Sequence, residues 1–450
     1  MGRTKMAKCY RCDDWASVFA CVLLAILSNT VLASPPLPPS GDDMHLGVAT
    51  CAGSTCHGAI EPFANSPVLQ NEFITWQRKD SHSEAYSVLL NDQSKRIARN
   101  LGLKSAQTAK ICLDCHADNV PDGKRGKRFQ ISDGVGCETC HGGAERYLGS
   151  HVSGQVTHQK NIEGGLFPTE DPLERARLCL SCHLGNDDKF ATHRIMGAGH
   201  PRLSFELDTF TAIQPAHFLV DDDYQERKGA WSNVQTWAIG QTLATRQYLQ
   251  QLSSSKRMDK GLFPELAFFD CHSCHHSMKQ QRWASRDSVG LEPGSIRLND
   301  GNILMAREVA SVVDAGLAKQ ISQQMRALHQ ASQQSKSAIQ SQAKKLLGLN
   351  QQLLDKLAGY KFGKSTTLKV ANNVIKHGIA GQFLDYSGAE QSVMALDALF
   401  NSLKAQGAIN YAPGSPVSMG MDKLYNALGD EDTYVPERYI TALKSLRKAI

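Results

Sequence analysis

Asp133-Gly134-Val135-Gly136-Cys137-Glu138-Thr139-Cys140-His141-Gly142-Gly143 sets two thiols three residues apart and a histidine directly after the second. The same arrangement recurs at Cys112-Leu-Asp-Cys115-His116, Cys179-Leu-Ser-Cys182-His183 and Cys271-His-Ser-Cys274-His275. An expanded form, with two more residues between the thiols, stands at Cys51-Ala-Gly-Ser-Thr-Cys56-His57. The order of groups suits attachment of c-type haem. Two thiols add across the two vinyl groups of the porphyrin, and the next residue delivers an imidazole to one axial face of the iron. Chance would supply roughly 0.01 such motifs in a chain of this length and composition. Zinc ribbons also pair cysteines, but they do not require a histidine after every second one. The motifs predict five covalently attached haems c, with Cys51, Cys56, Cys112, Cys115, Cys137, Cys140, Cys179, Cys182, Cys271 and Cys274 as attachment residues. His57, His116, His141, His183 and His275 are the first axial ligands to the five irons.

Of the 13 cysteines among 450 residues, only Cys9, Cys12 and Cys21 fall outside the motifs. All three sit in an opening segment that carries Arg3, Lys5, Lys8 and Arg11, then an apolar stretch from Trp15 to Leu27, then Val31-Leu32-Ala33 before Ser34. That is the pattern of a cleaved secretory signal peptide over residues 1–33. An uncleaved anchor over Trp15 to Leu32 is the alternative, against which Ser28, Asn29 and Thr30 interrupt the apolar run. Cys9-Tyr-Arg-Cys12 precedes Asp13 and so lacks an axial histidine. Cleavage leaves no unattached cysteine. Export to the periplasm agrees with the haem reading, because c-type haem is attached on the outer side of the bacterial energy-transducing membrane. The formal charge of +5 includes four basic and two acidic leader residues. Removing them leaves about +3, and ten haem propionates would bring the holoprotein to about −7. Nothing in that balance supports binding of nucleic acid.

A proline-rich linker follows at 34–43, then the five-haem domain at 44–290 and a cysteine-free helical module at 300–450. The fold class expected is mainly α: short helices and long loops, such as Asn119 to Ser132, around stacked haems that supply much of the apolar core, then C-terminal helices. One long helix is expected from about Val234 to Leu252. In the module, Val309, Val313, Leu317, Ile321, Met325 and Leu328 mark one helix, and Ile339 through Leu357 a second. Further helices are expected at Leu368–Leu384, at Ser387–Leu403 from a capping-box pattern of Ser387 with Glu390, and at Pro436–Ile450 with proline in the first turn. The Gln/Ser-rich run Gln330–Gln342 reads as a solvated helix face.

Function turns on the second face of each iron. A second imidazole gives a six-coordinate centre suited to electron transfer, whereas an open face admits a small molecule. His193 and His200 lie seven residues apart in Thr192-His-Arg-Ile-Met-Gly-Ala-Gly-His-Pro-Arg202, where they could serve two neighbouring haems. Gly197 and Gly199 suggest an irregular backbone close to a cofactor. His45 and His217 rank after these, followed by His272, His276 and His158. Met196 is a thioether candidate, and His329 and His377 read as facing water. Arg146, Arg194 and Arg202 are candidate propionate partners.

Leu113-Asp-Cys-His, Asp133 through Gly143, Gly149-Ser-His151 and Cys179-Leu-Ser-Cys182-His183-Leu184 together resemble the multihaem cytochrome c-554 family, relatives of hydroxylamine oxidoreductase. The resemblance spans about residues 45–190. Trp76 followed by Ser81-His82-Ser-Glu-Ala85 is similar to a tryptophan-then-histidine segment of that family, with one extra residue between them. The resemblance implies His82 and His151 as second ligands. The expanded first motif, the fifth motif and the helical tail depart from the four-haem members.

The leading reading is a periplasmic five-haem cytochrome that passes electrons between redox protein partners through mostly bis-histidine haems of low potential. A membrane-associated quinol-oxidising or reductase partner would fit this role. Two alternatives stand beside it. One is a haem enzyme acting on hydroxylamine, nitrite, tetrathionate or a similar compound at a five-coordinate iron. The other is a haem-bearing docking subunit of a larger redox complex.

Overall fold

The structure, a computed structural model, describes residues 34–64, 66, 68–258, 264–275, 286 and 288–450. The expected signal peptide with Cys9, Cys12 and Cys21 lies outside the described residues, as does His276. The fold is mainly α. Among the described residues, β-pairing is confined to two isolated bridges, His45 with Arg125 and Phe269 with Leu298. No described helix is long and apolar enough to cross a membrane. Leu37–Ile450 form one compact unit.

The motif-bearing half is built from short helices, among them Val48–Cys51, Glu72–Lys79, Asp92–Leu101, Lys110–His116, Cys137–His141 and Pro172–His183. Their starts are fixed locally. Asn91 accepts from the Ser94 amide, and Asp171 accepts from Leu173 just ahead of Pro172 in the first turn. Asn119 to Ser132 holds only 3-10 turns, at Asp122–Lys124 and the start of Ile131–Asp133. One apolar cluster here consists of Leu89, Ala98, Ala106, Leu113 and Ala117, small for a region of this length. A carboxylate takes over part of the work of a core. Buried Glu138 accepts from the amides of Leu46, Gly47 and Ala144 at 2.7, 2.7 and 2.8 Å, and so pins the approach to the first motif onto the third. At Gly136 a Cβ would stand 2.6 Å from Val48 Cγ2, so only glycine admits this close approach.

Eight longer helices make the other half: α1 Asn233–Ser253, α2 Gly301–Val313, α3 Ala315–Ser332, α4 Lys336–Leu357, α5 Lys364–Ile379, α6 Tyr386–Ala405, α7 Pro416–Leu428 and α8 Pro436–Leu446. Helix α1 starts with a reciprocal capping box between Ser232 and Gln235. It packs on α2, α4 and α6 and, by another face, on the helix that carries the fourth motif. One continuous core joins them, with Trp237, Phe383, Phe400 and Tyr439 wholly buried. Residues 234–268 share that core with 300–446, so the packing runs across residue 300.

Several expectations change. The single helix from Val309 to Leu328 is two, because Asp314 turns extended at φ −157° and its carboxylate caps the Leu317 amide. Ser387 is not a cap: Asp385, two residues earlier, fills that role by accepting from the Gly388 amide. The Gln330–Gln342 run is not one helix face, because α3 ends at Ser332 and Ser335 caps α4. Leu368–Leu384 shifts to α5, which ends at Ile379, and α7 is a further helix beyond those expected. His329 and His377 do not simply face water. His329 is wholly buried with Nε2 3.0 Å from Asp300, and His377 bonds Glu308 at 2.8 Å. Asp300 also pairs with buried Arg286, which bonds Asp385 at 3.2 Å.

Candidate haem centres

A helical turn brings residues i, i+3 and i+4 to one face, so Cys-x-x-Cys-His wound as a helix presents two thiols and an imidazole to the same side. Cys137–His141 is such a turn, and Lys110–His116 and Pro172–His183 end in one. The expanded first motif reaches the same end differently. Its helix stops at Cys51, exposed Gly53, Ser54 and Thr55 loop outward, and the His57 amide returns to the Cys51 carbonyl at 3.2 Å. In the fifth motif the equivalent His275-to-Cys271 bond is 2.7 Å.

Each motif histidine stands opposite one other histidine. The ring centres of His57 and His151 are 5.9 Å apart, His116 and His200 6.3 Å, and His141 and His217 6.2 Å. His183 and His82 are 6.1 Å apart, as are His275 and His193. An imidazole nitrogen sits about 1.1 Å from its ring centre and about 2.0 Å from a bound first-row metal, so rings on opposite faces of one iron have centres about 6 Å apart. The five spacings fit that span, so the residues present suit haem iron.

The outer nitrogens are held as well. Nδ1 of His57 bonds Glu72 Oε2 at 2.9 Å, and Nδ1 of His82 bonds Asp80 Oδ1 at 2.8 Å. Asp80 also accepts from the His82 amide and from Gln214 Nε2, each at 3.0 Å. Nδ1 of His116 meets the Ala85 carbonyl at 2.9 Å, and that of His200 the Pro201 carbonyl at 2.8 Å. With Nδ1 engaged, Nε2 is left to face the opposing ring. The bond to Glu72 raises the His57 pKa, and the bond to Asp80 raises that of His82. Burial pushes five further imidazoles the opposite way: His141 falls to about 3, and His116, His151, His183 and His217 are also lowered. These five imidazoles are therefore kept neutral, the form that binds a metal.

Four of the five motifs meet in pairs. The Cys51 and Cys137 thiols lie within hydrogen-bonding reach of each other, as do those of Cys115 and Cys182. Half-buried Lys189 sits at the second contact, its Nζ 2.9 Å from Cys182 Sγ and 3.0 Å from the Asp114 carbonyl.

Of the expected second ligands, His82, His151, His193 and His200 each face a motif histidine, and His217, ranked below them, takes the remaining place. No local pattern distinguishes Pro215-Ala-His217 in sequence, since its partner His141 is 76 residues away in the chain. His45 is buried against Asp118 at 2.7 Å and the Pro38 carbonyl at 3.3 Å, and His158 pairs with Glu170 at 2.6 Å. The arginines suggested for propionates have protein partners: Arg146 pairs with Asp43, Arg194 bonds the Leu101 carbonyl, and Arg202 pairs with Glu390 and Glu431. Gly199 does adopt φ +118°, near Ile97, whereas Gly197 ends an ordinary helix with open space around it.

Residues 50–142, which carry the first three motifs, match the family model described as cytochrome c554 and c-prime. The match supports a c-type cytochrome with covalently bound haem, a class that transfers electrons. Neither the curated proteins nor the solved structures give a match.

Proposed function

We propose that this c-type cytochrome is an exported electron carrier with five haems, each attached through one cysteine pair and held between two imidazoles. The ligand pairs are His57 with His151, His116 with His200, His141 with His217, His183 with His82, and His275 with His193. The observation that carries the reading is the agreement of five separate ring spacings, 5.9 to 6.3 Å, with the span of an iron held from both sides.

Haem held by these residues would supply one-electron exchange between ferric and ferrous iron. The protein's part is to keep that exchange free of substrate chemistry. With one of these imidazoles on each face, the iron would keep no coordination position for nitrite, hydroxylamine or a sulfur compound, which favours the carrier over the haem enzyme. Glu72 and Asp80 make His57 and His82 stronger donors through their Nδ1 protons, and that stabilises the ferric state. The carbonyl partners of His116 and His200 act in the same direction with less charge. Export rests on the leader at residues 1–33, and it implies periplasmic donor and acceptor proteins, a membrane-associated quinol-oxidising or reductase complex among them.

Low-temperature EPR of the oxidised, haem-loaded protein tests this. Only low-spin iron is expected. Ring orientation adds a finer expectation. Parallel imidazoles act on the same iron d orbital, whereas perpendicular ones leave two orbitals nearly degenerate. The pairs at 81°, 86° and 89° should give three signals with a large maximal g value, and the pairs at 18° and 34° should give two more rhombic ones. A high-spin signal that moves on adding nitrite or hydroxylamine would overturn the carrier reading, and a holoprotein mass with fewer than five haems would overturn the count.

A further inference from the structure

Resting on those ligand pairs, we infer that Thr192–Arg202 is a shared ligand arm that fixes the fifth haem site against the second, and that Arg202 and Glu431 are its positioning residues. The arm begins at Thr192, whose side chain caps the short helix His193–Gly197 by accepting from the Ile195 amide. The His193 amide bonds Glu265 Oε1 at 2.8 Å, and the ring faces His275. The chain turns at Gly199, and His200 then faces His116. Four helical steps and three extended ones limit the two Cα atoms to about 17 Å apart. One short segment therefore supplies ligands to two different motifs and keeps them neighbours.

Both halves of the molecule grip the arm. From the haem half, Asn100 Nδ2 donates to the Ala198 carbonyl at 3.0 Å and Gln93 Nε2 to that of Gly199 at 3.1 Å. From the helical half, the Arg202 guanidinium reaches both oxygens of Glu390 at 3.1 Å and Oε2 of Glu431 at 2.8 Å, and it lies over the Tyr386 ring at 5.3 Å. The Glu431 backbone carbonyl meets Nε2 of His272 at 3.1 Å. His272 stands between the two cysteines of the fifth motif, and its ring stacks on Tyr434. Glu431 thus holds the arm by its carboxylate and the fifth motif by its carbonyl. A shift of Arg202 is transmitted to both arm ligands, while sites one, three and four take their ligands from other segments. The helical module, absent from four-haem relatives in the resemblance above, is by this argument the anchor of the added haem. Cys274 is the exposed member of the ten motif cysteines, which places this added site at the surface.

The test uses the haem-loaded full chain, EPR and a spectroelectrochemical titration. His193→Met and His200→Met first identify the signals and midpoint potentials of sites five and two. Arg202→Met should then shift those two together and leave the other three in place, with Glu431→Gln shifting the same two by less. If Arg202→Met does not accumulate, Arg202→Lys, which keeps the charge but loses the fork, is read in the same way. A general loss of stability that leaves all five signals unmoved, or a shift spread over all five, overturns the arm. If His193→Met or His200→Met alters no low-spin signal, the ligand pairs themselves fail, and that outcome is distinct from an arm that fails alone.

Discussion

The two halves of this protein solve the problem of an interior in opposite ways. Around the first three motifs, the apolar cluster of Leu89, Ala98, Ala106, Leu113 and Ala117 is slight, and buried groups such as Glu138, Asp80 and the His45–Asp118 pair are held by hydrogen bonds. From α1 onward, one core runs through eight helices and encloses Trp237, Phe383, Phe400 and Tyr439. Burial of apolar surface at about 25 cal/mol per Å² is the main favourable term in folding. The second half meets it with side chains, whereas on the function proposed above the first half would meet it with porphyrins. Fold and cofactor are thus inseparable in one half and nearly independent in the other.

The largest effect that would expose this contrast comes from Cys137→Ala with Cys140→Ala. Loss of the third haem removes a central piece of the first half's interior, where Glu138 also pins the first motif. Hydrogen exchange read by mass spectrometry should show protection lost across residues 44–200 and kept in α2–α8. Equal loss in both halves would break the comparison. In the other direction, Arg286→Met leaves Asp300 and Asp385 buried without their cation, at a cost of about 3–5 kcal/mol, with the haem spectrum unchanged. Thermal unfolding followed at 222 nm and in the Soret band separates the two. The same cluster predicts a pH response. Burial raises the Asp300 pKa, but Arg286 and the bond from His329 outweigh it and hold the carboxyl far below its ordinary range. A folded pKa below the unfolded one means that this stabilisation is complete at neutral pH and shrinks as pH falls below about 4. The helical half should lose stability there, less steeply in Arg286→Met.

The contrast also explains what could be read from sequence. The attachment motifs are local chemistry, so their ten cysteines and five histidines stand out by spacing alone. Helices α1, α4 and α8 were legible because each has a regular apolar face or a clear start signal. The break at Asp314 was not, since the apolar repeat continues across it and only the extended backbone with its cap on Leu317 interrupts the helix. Helix α7 carries Ser415 as cap and Pro416 in its first turn, a start signal as good as that of α8. His217 is the instructive case: it faces His141 only because the long-range fold brings Pro215-Ala-His217 back to the third motif. Likewise His329, in a helix rich in glutamine, reads as solvent-facing until Asp300 and Arg286 close over it.

The smallest effect concerns a single charge inside the haem half. Lys189 lies where the second and fourth motifs touch, against Cys182 Sγ and the Asp114 carbonyl. Reduction lowers the positive charge on an iron by one, so a fixed cation nearby favours the reduced state and raises the potential. Two unit charges about 10 Å apart at an effective dielectric of about 20 interact by about 1.7 kcal/mol, which bounds the shift. Lys189→Met should therefore lower the midpoint potentials of sites two and four in a spectroelectrochemical titration, leave sites one and three in place, and change the stability of the helical half hardly at all. An equal shift at all five sites would mean that the charge acts through bulk solvent. The haem half would then lack the dry, low-dielectric interior that its porphyrins are argued to supply.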